Sequence, residues 1–338
     1  MLDSTRENGG RLELQENMEL QGVAGHSSQV VIDASVLPGA SFIPAMNTPA
    51  PRTGAIRIGR GTNILQWLTV KGNASQQALS VIDADLIWPG KAKLTISNCV
   101  ITGGRIGIDL RNVSAASNGR QIEATINNNE VRDNLVQFGQ GIEVQNANGV
   151  TQARIRVSMH GNYLHGNKIG LRGFSNNANG QATDSSSIYI QSDNDRFEEN
   201  GIGLQLIGGL NQAPTQTANS NFLHFEAYQT SIRNNHGEQS PDITDLAPGG
   251  LNAAGGSSVR GGETSRNSLE IFLVDCPVSD NTGPGIKAYG AFSPVSTIAG
   301  TGNKVAITLR GSSKSVNVQT ISSEPGEPAG TNSVRIFK

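Results

Sequence analysis

Short alternating runs of apolar residues recur along the chain, separated by polar turns. Each copy reads apolar-x-apolar, a polar turn, one isolated apolar residue, and then x-x-Asn-x-x-Gly-apolar, as in Ile155–Arg172 and Ile188–Gln205. With the isolated apolar residue as anchor, the equivalent positions are Ile101, Val131, Leu164, Phe197, Ile232 and Val278. Because copies this short and polar cannot each bury an apolar face, the repeat predicts coils that stack on one another.

The period of the pattern predicts strands. Alternation with period two, rich in Ile, Val and Leu, is typical of β-strands, and no long stretch has the apolar spacing of a helix. Each coil should carry about three short strands, and like strands should stack about 4.8 Å apart in parallel sheets. Three residues after the anchors, an inward-facing column of amides should form a ladder: Asn134, Asn167, Asn200, Asn235 and Asn281.

The repeat resembles the right-handed parallel β-helix superfamily of the pectate-lyase type, from about Leu12 to Ile321. The predicted fold is therefore all-β, a single-stranded right-handed parallel β-helix (a solenoid) with long loops on one side. The shared motif is one of fold and brings no catalytic residue with it. Many β-helices of this type cleave or epimerise acidic polysaccharides, so the resemblance implies a carbohydrate-active protein.

The chain divides by composition into a lead, a solenoid and a tail. We expect a flexible lead at 1–11, one β-helix domain at 12–322 with a large loop at 236–267, and a C-terminal tail at 323–338, where Val334–Phe337 could return as an edge strand. The polar start shows no signal peptide, and nothing precedes Leu12 to cover the first coil. We therefore expect a secreted or cell-surface protein whose export signal and cap have been removed; the alternative is a cytosolic protein capped by its own loop.

The charge balance and the cysteine positions exclude some kinds of partner and cross-link. The 338 residues include 26 Lys and Arg and 28 Asp and Glu, a formal net charge of −2, which argues against a nucleic-acid partner held through phosphates. No transmembrane run is present. Cys99 and Cys276 should both point inward, about 24 Å apart at one strand spacing per coil, too far for a disulfide. Either a monomer or a homotrimer is compatible with the sequence.

Insertions cluster after the Gly-apolar-x-apolar strand, which predicts the binding side of the solenoid. The outward column of the next strand reads Lys93, Glu123, Arg156, Tyr189, His224 and Glu270. Arg156 could neutralise a uronate carboxylate, while His224 or Tyr189 takes the adjacent proton and the other protonates the leaving oxygen. Glu123 and Glu270 would be substrate contacts. The alternative is a solvated sheet surface whose alternating charges avoid repulsion.

A second outward column should lie on the strand before that corner. It reads Asp109, Glu143, Arg172, Gln205 and, beyond the large loop, Lys287. Asp109 and Glu143 could share a cation or act as acid and base, with Arg172 beside them as a further substrate contact; an ion-pair ladder is the alternative. No metal site is predicted, since His160 and His165 lack a third ligand at useful spacing, and the sequence specifies no cofactor.

Two functions remain open. The first is a polysaccharide lyase or hydrolase that acts on an acidic polysaccharide in the groove beside the long loops. Against it, the chain lacks the dense Asp cluster of calcium-dependent lyases and the paired Asp of polygalacturonases. The second is a non-catalytic surface, adhesive or assembly module that binds through a flat ladder face.

Overall fold

The chain winds into a solenoid in which every described coil contributes strands to parallel sheets. The computed structural model describes residues 11–37, 54–74, 80–86, 90–113, 119–136, 139–147, 149–177, 182–212, 217–236, 249–258, 262–292, 300–323 and 331–338. Within them the strands form three sheets, of ten, ten and eight strands, and all pairings are parallel. These residues contain no α-helix, only the short 3-10 helices Ser27–Gln29 and Gly311–Ser315. The prediction of an all-β parallel solenoid is confirmed.

Up to residue 310, successive strands lie in the three sheets in turn, so that each strand pairs with the third strand after it. The first sheet holds β1 Leu12–Leu14, β4 Gly54–Ile58, β7 Ser80–Leu86, β10 Ile106–Val113, β13 Gln140–Ala147, β16 Ile169–Asn177, β19 Ile202–Asn211, β22 Gly249–Ser258, β25 Ile286–Phe292 and β27 Val318–Ser323. The second holds β2 Glu19–Gln21, β5 Gly61–Gln66, β8 Lys91–Ser97, β11 Gln121–Asn127, β14 Arg154–His160, β17 Ser187–Asp193, β20 Phe222–Tyr228, β23 Ser268–Val274, β26 Lys304–Arg310 and β28 Ser333–Phe337. The third holds β3 Val31–Asp33, β6 Thr69–Lys71, β9 Val100–Thr102, β12 Glu130–Arg132, β15 Tyr163–His165, β18 Arg196–Glu198, β21 Ser231–Arg233 and β24 Val278–Ser279. The last described coil has no strand in the third sheet, so β27 pairs with β25 and β28 with β26.

The anchor residues of the repeat form one column of the third sheet. Leu164 pairs with Val131 on one side and Phe197 on the other, and all three side chains are buried. The alternating strands of the second sheet place every other residue in the same continuous core. Equivalent residues of successive repeats therefore stack directly on one another, as the sequence predicts.

The predicted amide ladder runs through the turn that follows the third sheet. Asn167 Nδ2 donates to Asn200 Oδ1 at 3.0 Å and to the Val131 carbonyl at 3.0 Å. The same pattern continues through Asn235 and Asn281. Each side chain thus satisfies backbone groups of its neighbouring coil, which stay paired without water. A further ladder, which the repeat pattern did not predict, contains Asn221, Asn267, Asn303 and Asn332.

The glycine of the repeat is required by close approach between coils. A Cβ on Gly170 would lie 2.6 Å from the carbonyl oxygen of Gly203 and 3.1 Å from Nδ2 of Asn200. Gly141 and Gly203 have the same surroundings one coil away on either side. Hydrogen is therefore the only side chain that fits where the ladder turn meets the first sheet.

The structure places strands in both the expected large loop and the expected tail. The expected loop at 236–267 contains β22, which lies between β19 and β25 in the first sheet. The expected tail ends in β28, which pairs with β26, so the predicted edge strand is confirmed. The lead up to residue 10, residues 237–248 and 259–261 of the loop, and residues 324–330 of the tail lie outside the described residues.

Both cysteines are buried in the solenoid and free of disulfides, in agreement with the spacing argument. Burial is the main cause that raises the pKa of both thiols, that of Cys99 to about 11. They therefore remain protonated and pack as small apolar residues.

Candidate functional site

The outer face of the second sheet brings the three proposed catalytic residues together. Arg156 of β14 pairs in register with Tyr189 of β17, and Tyr189 pairs with His224 of β20. Strands in a sheet alternate their side chains, so the buried partners on either side, such as Ile188 and Ile190, force these residues outward. The predicted first column is therefore present on one continuous face.

Tyr189 is the centre of an aromatic and cationic cluster on this face. The Arg156 guanidinium carbon lies 5.3 Å from the Tyr189 ring centroid, and that of Arg154 lies 5.9 Å from it. The ring of Phe222 packs against Tyr189 with centroids 5.5 Å apart. Cations near an aromatic face are attracted by the ring quadrupole, so both guanidinium groups are held close to the ring.

His224 is positioned by carboxylates on two strands. Its Nδ1 lies 3.3 Å from Oε2 of Glu270 on the next coil, and its Nε2 lies 3.5 Å from Oε2 of Glu226 on the same strand. The His224 ring also lies 6.2 Å from Phe222 and 6.3 Å from Tyr189. A neutral imidazole carries one N–H and can donate to only one of these carboxylates, whereas the imidazolium can donate to both.

These side chains line an open groove of about 920 Å³. It runs from Thr62 on β5 to Glu270 on β23, across seven neighbouring strands of the second sheet. At about 4.8 Å per strand its length is about 29 Å, which suits an extended chain rather than a single small molecule. Beside the charged column, the groove floor carries a row of hydroxyl and amide side chains: Thr95, Thr125, Ser158 and Gln191.

The proposed substrate contacts separate into two groups. Glu123 and Glu270 lie in the groove column with the catalytic candidates. Asp109, Glu143 and Arg172 are also in register on the outer face of the first sheet, but they are 0%, 4% and 6% exposed.

The burial of the second column corrects the expectation that it is displayed to a ligand. Asp109 instead accepts hydrogen bonds within the sheet, from Arg111 Nη2 at 3.1 Å and from Ser80 Oγ at 3.1 Å. Arg172 stacks on Phe174, with its guanidinium carbon 4.4 Å from the ring centroid. Phe174 belongs to a second apolar cluster that includes Ile207, Leu210 and Tyr289. This outer face is therefore part of the packed interior.

Besides the row of hydroxyl and amide side chains, the sequence did not identify Phe222 and Glu226 in the groove or Arg154 beside Tyr189. All share the outward phase of the column, since each lies two residues from a column member on its own strand. The period-two spacing was the signal that could have revealed them.

At the end of β20, the pKa of the Tyr228 phenol is raised, first by burial and then by the Glu226 carboxylate, so the phenol stays protonated.

Within the described residues no three His, Cys, Asp or Glu side chains converge as metal ligands. Each turn histidine instead lies beside one carboxylate: His160 Nδ1 is 3.0 Å from Oδ2 of Asp193, and His165 Nε2 is 3.0 Å from Oε1 of Glu130. Nor does any helix in these residues have the length and apolarity to cross a membrane.

Comparison with known proteins returned no matching family model, no matching curated protein and no matching solved structure. The fold and the groove are therefore the basis for any assignment of function.

Proposed function

We propose that this chain is a carbohydrate-active β-helix protein that binds an acidic polysaccharide along the outer face of its second sheet. The observation that carries the proposal is the in-register row of Arg156, Tyr189 and His224 on three successive strands of an open groove. A cation, an aromatic hydroxyl and an imidazole in one row supply the groups needed to bind a uronate and move a proton beside it.

The chemistry that this row suits best is β-elimination, the reaction of a polysaccharide lyase. Arg156 would neutralise the uronate carboxylate, which stabilises the negative charge that develops when the neighbouring carbon loses its proton. Tyr189 or His224 would take that proton, and the other would protonate the departing glycosidic oxygen as the carbon–oxygen bond breaks and a carbon–carbon double bond forms. Glu226 and Glu270 would orient the imidazole.

Two features of the fold support this proposal. The parallel β-helix is the architecture that the resemblance to the pectate-lyase type implies, and that analogy applies to fold and not to particular residues. The groove also combines charged, hydroxyl and aromatic side chains, including Thr125, Ser158 and Phe222, which suit the hydroxyl groups and apolar faces of sugar rings. Action on such a polymer is consistent with a secreted or cell-surface protein.

A second candidate is a non-catalytic surface or adhesive module that binds the same polymer. One observation favours it: both ring nitrogens of His224 lie within 3.5 Å of carboxylate oxygens, so neither points freely at a reacting atom. In that case the row of Arg156, Tyr189 and His224 would bind the polysaccharide without cleaving it.

An activity screen separates these candidates. Acidic and neutral polysaccharides would be incubated with the protein, and new unsaturated ends and new reducing ends measured separately. Unsaturated ends that disappear in Arg156→Ala, and persist in the matched exposed variant Lys168→Ala, are expected for a lyase. Reducing ends without unsaturation would indicate hydrolysis. Binding without either product would favour the adhesive module, and neither binding nor product across the panel would contradict the proposal.

A further inference from the structure

The two ends of the solenoid have complementary surfaces, independent of the groove. Among the described residues, six large apolar side chains are substantially exposed, and five of them lie at the ends. Met18, Val23, Val31 and Val36 at the first coil are 41–56% exposed, and Phe337 on the last strand is 51% exposed. Elsewhere along the described coils only Leu135 is comparably exposed.

The apolar core is also open at these ends. Leu12, Leu20 and Ile32 of the first coil, and Val318 and Ile336 of the last strands, are only partly buried although they pack against the core. The end strands β1, β2, β27 and β28 have a sheet neighbour on one side only among the described residues. Unpaired edges of this kind are templates for pairing with another chain.

Charge differs in sign between the two ends. Residues 11–37 contain Glu13, Glu16, Glu19 and Asp33 against the single cation Arg11, a formal charge of −3. The described residues from 304 onward have five exposed cations and no Asp or Glu: Lys304, Arg310, Lys314, Arg335 and Lys338. An acidic end and a basic end attract each other, whereas two like ends repel.

The register shows how one end would continue into the other. Leu12 begins the core column of the first sheet that ends at Val318. Glu19 begins an outer column of the second sheet that ends at Phe337. Because all strands run in one direction, β27 and β28 of one copy can be followed by β1 and β2 of the next without reversing direction.

We propose that copies of this chain associate head to tail, with the basic last coil of one copy stacked on the acidic first coil of the next. The contact joins two different surfaces, so it is heterologous and forms open stacks rather than closed dimers. It buries the exposed valines and Phe337 and places Arg335 diagonally across from Glu19, within reach of a long side chain.

Charge exchange at the ends tests the proposal. Glu19→Arg and Arg335→Glu each put like charges at every junction, and the double variant restores attraction with the pair exchanged. Both side chains are exposed on end strands, so the fold should be retained, which circular dichroism would check. Lys168→Glu, an exposed reversal in the middle of the solenoid, is the matched control.

Sedimentation velocity across a wide concentration range at low and high salt is the measurement. We expect a mass that rises above 35.5 kDa with concentration, most steeply at low salt. Each single variant should weaken association at least about tenfold, and the double variant should recover most of the loss, while the control matches wild type. A 35.5 kDa monomer under all conditions, or assembly indifferent to the single variants, would overturn the proposal.

Discussion

Asp195 occupies a place in a buried ladder where the two preceding coils have asparagine, Asn129 and Asn162. Its Oδ1 accepts hydrogen bonds from the backbone N and the Nδ2 of Asn162, at 2.7 and 2.8 Å, and its Oδ2 accepts one from Ser192 Oγ at 2.6 Å. One coil earlier, Asn162 Nδ2 also donates to the Ile126 carbonyl, whose partner in the next coil is Met159. An asparagine at 195 should therefore keep the Oδ1 contacts and add a bond to Met159.

The pKa of Asp195 gives the size of the effect. Burial raises it from 3.8 to about 6, against the opposing hydrogen bonds and the nearby His160. Because the folded pKa is the higher one, the protonated carboxyl favours the folded state fully below pH 3.8, and this stability is lost as pH rises through about 6. At 1.36 kcal/mol per pKa unit the loss is about 3 kcal/mol. Asp195→Asn removes the titration.

Chemical denaturation from pH 4 to pH 8 tests this reasoning. The free energy of unfolding of Asp195→Asn, minus that of wild type, should rise by about 2 kcal/mol between pH 4 and pH 8, with its midpoint near pH 5 and a level course above about pH 6. Asp193→Asn, the same substitution at an exposed carboxylate on β17, is the matched control. A flat difference, or a variant less stable than wild type at pH 8, would refute the reasoning.

Two further substitutions test the packing between coils. Asn200→Ala removes the donor to the Leu164 carbonyl and the acceptor for Asn167, so it should lower the free energy of unfolding by about 3 kcal/mol or more. Asn317→Ala, at an exposed position, is the control and should lower it little. Equal losses in the two variants would contradict the ladder's role. Gly170→Ala places a Cβ 2.6 Å from a backbone carbonyl and should destabilise by about 2 kcal/mol, measured by the same unfolding assay; a neutral result would show that the coils can separate there.

The solenoid could be predicted because its signals are local and repeated. Anchors such as Leu164 and Phe197 recur in phase with the amides at Asn167 and Asn200, and stacking is the arrangement that buries both. The strand Gly249–Ser258 could not be predicted in the same way, because its glycine, alanine and serine residues have weak strand propensity. It is a strand because it pairs on both sides, with β19 and β25.

For the candidate site, the sequence predicted the direction of the side chains and their neighbouring strands. Period-two alternation fixed the outward direction of Tyr189 and His224, and the repeat placed them on adjacent strands. Alternation also predicted that Asp109 and Glu143 face away from the main core, but not that both side chains are buried there. Such burial depends on contacts between segments distant in sequence, which no local pattern records.

The same arginine–tyrosine contact occurs on two faces of the solenoid, which gives a direct test of the proposed polysaccharide-binding face. On the second sheet Arg156 lies 5.3 Å from the Tyr189 ring centroid, and on the third sheet Arg196 lies 3.7 Å from that of Tyr163. Affinity electrophoresis in gels containing an acidic polysaccharide would compare the two double alanine variants. We predict that only Arg156→Ala/Tyr189→Ala loses retardation. Loss in Arg196→Ala/Tyr163→Ala alone, or unchanged retardation in both, would contradict binding along the second sheet.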